Sequence, residues 1–178
     1  MALDKDNNLI IVDSFNHRVQ KFTKNGDYIS SWGQQGSGPG QFSYPWGVAV
    51  SEDNHVFVSD WKNNRIQHFT QEGTFVKEFG QDNKNEIGLN RPAGITVDQD
   101  GDVYVADRDN NRIVIFTSIF ELLNKITCPR IHGSDQFIVA FPVFSGDGGV
   151  WVVGRECRQV FWVLPLRGQE FFGDGFIF

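Results

Sequence analysis

The chain of 178 residues has two cysteines, one methionine, six prolines and no long apolar run. Two thiols, Cys128 and Cys157, supply neither a disulfide framework nor a metal-ligand spacing, so both are expected to be ordinary reduced cysteines. No stretch approaches the ~20 consecutive apolar residues that a membrane helix needs. The richest segments, FIVAFPVF and VFWVLPL, are short and broken by proline. The opening MALDKDNN has no basic region followed by an apolar one, so no secretory signal is expected. There is also no N-x-S/T sequon, and the expected location is cytoplasmic, with no membrane partner. Helical periodicity is missing over any useful length. Positive charge is scarce as well: 16 Lys and Arg face 22 Asp and Glu, a net charge of −6. That balance argues against indiscriminate nucleic-acid binding, which needs an overall basic domain, but it leaves room for a local basic face.

What the sequence does have is a period. VDSFNHRVQKF from Val12, SDWKNNRIQHF from Ser59 and ADRDNNRIVIF from Ala106 share one frame: Asp, two variable residues, Asn, any residue, Arg, an aliphatic, then Phe. Asp13, Asp60 and Asp107 stand 47 residues apart, and so do Asn16/Asn63/Asn110, Arg18/Arg65/Arg112 and Phe22/Phe69/Phe116. A fixed period of this length marks a repeat architecture. Within one repeat, AGITV and DVYVA read as strands joined by the DQDG turn, and RIVIF is a third strand. A fourth follows in DYISSWG after KNG and in TFVKEFG after QEG. Ile119 to Ile126, IFELLNKI, looks briefly helical but occupies the fourth-strand slot, and is read as strand.

Four short antiparallel strands per repeat predict an all-β fold, a partial β-propeller of about three and a half blades. The register places a truncated first blade at 1–33, a second at 45–80, a third at 92–126 and a degenerate fourth at about 137–173. In the fourth, Gly154, Cys157 and Gln159 replace the Asp, Asn and Arg of the frame. In the third, Phe120 stands where Gly26 and Gly73 stand in the first two.

PWGVAV…VFVSD..NNRIQ.F and PAGITVD.DGDVYVAD..NNRI resemble NHL repeats, and the linker GSGPGQFSYPWG resembles those of the C-terminal repeats of TRIM-NHL proteins. The resemblance covers residues 1–117 strongly and 140–173 through register alone. It implies a six-bladed propeller that serves as a binding platform for proteins or RNA. In such relatives ubiquitin-ligase activity resides in a RING with Cys/His zinc clusters, and none is present here, so no enzyme activity is expected. Six blades of this length need ~280 residues. The chain is therefore expected to be an open arc, a piece of a longer product, or a self-associating segment.

The Asp-x-x-Asn-x-Arg frame is read as architecture, with Asp and Arg forming a bidentate link that ties the loops of neighbouring blades. DQDGD from Asp98 is read as a turn, because the EF-hand positions for Gly and Glu hold Val103 and Asp109. The four histidines, His17, His55, His68 and His132, share no register and are not expected to ring a central metal. No cofactor is expected. Strand-two-to-three loops and inter-blade connections lie at one end of a meander, so one face collects Phe15, His17, Arg18, Tyr44, Trp46, Trp61, Lys62, Arg65, Arg91, Arg108 and Arg112. Trp46 fits either this face or the core. Aromatic and basic groups together meet protein partners or stack bases and contact phosphates. The expected binding residues are Phe15, Arg18, Tyr44, Trp61, Lys62, Arg65, Arg91, Arg108 and Arg112. Negative net charge favours a protein partner over RNA. A metal-dependent propeller hydrolase or lyase is the alternative.

Overall fold

The computed structural model describes residues 1–81, 88–127, 150–153, 160–163 and 174–175. Among them there is no α-helix, and no helix is long and apolar enough to cross a membrane. Three four-stranded antiparallel sheets follow one another, each a meander in chain order. The first joins β1 (Ala2–Leu3), β2 (Leu9–Asp13), β3 (Arg18–Phe22) and β4 (Tyr28–Trp32). The second joins β5 (Pro45–Val50), β6 (Val56–Asp60), β7 (Arg65–Phe69) and β8 (Phe75–Phe79). The third joins β9 (Pro92–Val97), β10 (Val103–Asp107), β11 (Arg112–Phe116) and β12 (Leu122–Thr127). IFELLNKI thus supplies a strand rather than a helix. A further sheet pairs β13 (Val150–Val153), β14 (Val160–Val163) and β15 (Asp174–Gly175). Cys128, Cys157, His132 and the degenerate frame at Gly154–Gln159 lie outside the described residues.

The strands form where β-branched and aromatic residues run between turn residues, and their two faces bury against two different neighbours. Val56, Val58 and Phe69 pack with Ile10, Val19 and Phe42 in a core between the first two sheets. The other face of the second sheet sends Phe57 and Ile66 against Ile95, Val103, Val105 and Phe116 of the third. All five residues of β6 and all five of β10 are buried. Sheets stacked face to face, the middle one covered on both sides by its neighbours, are the packing of a propeller. Close approach explains one glycine of the PWG motif: a Cβ on Gly47 would lie 2.5 Å from the Ala93 carbonyl of the next blade. In the third blade Phe120 adopts φ +68 in the turn where Gly26 and Gly73 have φ +92 and +86. The missing glycine therefore leaves the turn geometry in place.

Candidate functional site

Each Asp-x-x-Asn-x-Arg frame folds into a short 3-10 turn, at Ser14–Asn16, Trp61–Asn63 and Arg108–Asn110. Asp60 organises the second copy. Its Oδ1 accepts the Ser43 backbone N–H at 2.7 Å, and its Oδ2 accepts Asn63 Nδ2 at 2.8 Å and Arg65 Nε at 2.9 Å. Arg65 also donates to the Ser37, Gly38 and Gln41 carbonyls and to Glu78. Asp107 repeats the pattern with Asn90 N, Asn110 and Arg112. Burial pushes the Asp60 carboxyl up, opposed by Asn63, the Ser43 N–H and Arg65. Asp13 lies nearer to solvent, and Asn16 and Arg18 hold its carboxyl down.

Two expectations need correction. The Asp–Arg contact is a single Nε–Oδ2 bond inside one blade, not a bidentate link between neighbours. The tie to the next blade comes from the frame's unconstrained position instead. His17 Nδ1 accepts the Tyr44 N–H at 3.0 Å, and Asn64 Oδ1 accepts the Arg91 N–H at 2.9 Å. Tyr44 and Arg91 precede proline and sit at φ +52 and +51, a left-handed turn that aims these N–H groups backwards. Arg65, with 1% of its surface exposed, is also not on the binding face, and its donors hold the linker into its own blade. Arg112 is largely buried for the same reason, donating to Asp107 and the Gly88 carbonyl.

Of the other candidates, all but Arg18 meet. Phe15, 85% exposed, touches the Tyr44 ring edge-on with centroids 6.0 Å apart. Lys62 places its ammonium 4.1 Å from the centre of the same ring. Trp61 stacks obliquely on Trp46 at 5.8 Å and carries the Arg91 guanidinium 5.2 Å from its ring. Trp46 is 53% exposed, which assigns it to the face rather than the core. Arg91 pairs with Asp109 at 3.2 Å, and Arg108 lies 4.0 Å from the same carboxylate. Arg18 stands at the near end, paired to Asp13. A ribbon of aromatic and cationic groups thus crosses three blades. One pair of register positions shows what varies: Lys62 on Tyr44 becomes Asp109 on Arg91 one repeat later. The contact is kept and its chemistry is inverted.

At the opposite end, the strand-one-to-two turns gather Glu52, Asp53, Asp98 and Asp100. Sequence register separates His55 from His68, yet His68 Nε2 and His55 Nδ1 share a hydrogen bond of 2.7 Å. His55 flanks β6 on the β5 side while His68 lies in β7 opposite Phe57, so the pair is diagonal across adjacent strands. Alternate residues of a strand point the same way, and that signal was available from the sequence. Burial, with the charges of His55 and Lys77, lowers the His68 pKa to about 4. Among the described residues no group of three or more His, Cys, Asp or Glu is placed to hold a metal ion.

The NHL repeat model matches residues 42–69 and 89–116, the cores of the second and third blades. No curated protein matches the chain. Among solved structures, a streptogramin B lyase superimposes with a TM-score of 0.70 at 18% identity, over 98% of this chain and 53% of that one. A catalytically inactive virginiamycin B lyase from Staphylococcus aureus, solved with quinupristin, gives a TM-score of 0.72 at 19% identity, over 98% and 54%. A protein of unknown function from Bacteroides caccae gives 0.64 at 14% identity, over 89% and 60%. The chain spans about half the length of the two lyases. At these identities the likeness is one of fold: an NHL-type β-propeller.

Proposed function

We propose that this NHL-type propeller segment is a non-enzymatic binding platform, cytoplasmic, that recognises a protein partner through the ribbon from Phe15 to Arg108. The reading places it beside the NHL domains of TRIM-NHL proteins, without their RING. The observation that carries it is the exposure of Phe15 and Trp46 beside the Lys62 and Arg91 cations, which lie over the neighbouring Tyr44 and Trp61 rings. The frame's Asp, Asn and Arg hold the loops together, whereas Phe15, Trp61, Lys62 and Arg108 occupy the variable positions between them. Aromatic rings and Arg are the residue types most enriched at protein interfaces and among their hot spots. RNA would use the same rings for stacking, but the net charge of −6 weighs against it.

Selection of peptides from a random display library against the full chain tests the proposal. Selected peptides should bind about ten-fold or more weakly to Phe15→Ser and Trp46→Ser variants. Equal binding to both variants would sink it. In a parallel arm, an RNA stem-loop whose affinity falls steeply with salt would move the assignment to RNA.

The second reading is a propeller lyase or hydrolase with a central metal; two of the neighbouring structures are lyases. Metal analysis of the purified chain separates the two. Stoichiometric zinc or calcium would support the enzyme.

A further inference from the structure

The two junctions between successive blades are filled differently at the end opposite the ribbon. At the first, Lys21 donates its ammonium to the buried Asp4 at 2.8 Å, and Gln71 of the next blade reaches Asp4 and Asp6. The residues 47 positions on are Ser51, Asp53, His68 and Ser118. Asp4 has become Ser51, Gln71 has become Ser118, and the lysine has become a histidine. A cavity of about 290 Å³ opens where these shorter side chains stand. Its floor is aromatic: His68 stacks on Phe57 at 4.6 Å, and the Phe120 ring lies 5.3 Å away. Its mouth carries Glu52, Asp53 and Asp100, all exposed, with the buried Asp98 behind them. Asp98 is engaged by the Tyr104 hydroxyl and two turn N–H groups.

A polar atom lacks its partner here. His68 is 6% exposed, lines the cavity, and its buried Nδ1 has no hydrogen-bond partner among the described residues. Orphaned polar groups at such depth are uncommon without a ligand or water to meet them. One cation is nearby: Lys77, whose ammonium lies 3.9 Å from the Phe120 ring centre and 3.5 Å from the Ile119 carbonyl. Three exposed carboxylates outweigh it.

We propose that this inter-blade cavity is a binding site for a primary alkylammonium group, which takes the place that Lys21 fills from within at the preceding junction. The carboxylates at the mouth supply the charge, the rings of Phe57 and Phe120 receive the alkyl stem, and His68 Nδ1 accepts from the ammonium in the tautomer whose Nε2–H donates to His55 Nδ1. The site is independent of the ribbon, at the other end of the blades, and stands or falls separately from it.

The test follows the histidine ring resonances of the full chain by NMR. Butylammonium is the probe, butanol its neutral counterpart, and acetyl-Gly-Lys-Gly-amide the peptide form of the same group. Butylammonium should shift His55 and His68 while leaving His17 in place, and butanol should bind about ten-fold or more weakly. The double variant Ser51→Asp/His68→Lys rebuilds the ion pair of the first junction and should no longer bind, read by calorimetry. Glu52→Gln/Asp53→Asn removes charge without filling space and should weaken binding while both histidine signals persist. A tripeptide that binds more tightly than butylammonium identifies a protein lysine as the source; equal affinity identifies a free amine. Equal shifts with butanol, no shift with either amine, or undiminished binding to the rebuilt variant would overturn the proposal.

Discussion

Arg65 has five N–H donors, and the structure gives each one an acceptor: Asp60, Glu78 and the carbonyls of Ser37, Gly38 and Gln41. Arg18 occupies the same register position in the first blade and, among the described residues, reaches only Asp13, with its side chain partly exposed. The two arginines are indistinguishable in the repeat frame, so the sequence shows the motif but not which copies are buried. Burial is decided by the GSGPGQ linker, whose carbonyls wrap the Arg65 guanidinium. The contrast is measurable. Replacing Arg65 by Met strands a buried carboxylate and should lower unfolding stability by about 3–5 kcal/mol. The same change at Arg18 removes a solvent-screened pair and should remove about 1 kcal/mol or less. Urea unfolding of both variants checks this, and equal losses would show that the linker contacts contribute nothing.

Among the elements, strands were the most legible, because alternating apolar residues between Asn, Asp and Gly turns specify both period and ends. The turn at Thr117–Phe120 was harder to read. Phe120 looks like a lost glycine, yet it keeps a positive φ while its ring packs on Phe57, His68 and Phe79. Packing between blades holds a backbone conformation that the residue itself disfavours. The contact of His55 with His68 is invisible in the register along the repeat, because it arises from the pairing of β6 with β7. That pairing has a consequence for pH. His68 is neutral when folded, with a pKa of about 4, against an ordinary value of 6.5. The unfolded chain therefore binds a proton at higher pH than the folded one. The stabilising contribution is complete above 6.5 and is lost as pH falls from 6.5 towards 4, by up to about 3 kcal/mol. The coulombic effects of His55 and Lys77 on His68 act in the same direction as burial. Urea midpoints measured across this window should fall in the parent chain and fall less in His68→Gln. Parallel curves would show that His68 does not titrate late.

For the whole molecule, the repeat predicts where each sheet is covered, and among the described residues one face is not. Val56 and Val58 on β6 are buried against the first blade, and Val103 and Val105 on β10 are buried against the second. Their register equivalents on β2 are Leu9 and Ile11, which face away from the second blade and remain only half-buried. The adjoining edge strand leaves Leu3 exposed as well. An apolar sheet face beside an open edge is a surface that other β-sheets can join. The isolated chain should therefore self-associate through its first blade, to an extent that rises with concentration. Size-exclusion chromatography with light scattering reads the mass directly. Ile11→Lys places a charge in the centre of that face and should shift the distribution towards monomer without changing the second and third blades. A parent chain that stays monomeric at every concentration would mean that the first sheet's open face is satisfied within the chain, as in a ring closed by fewer blades than six.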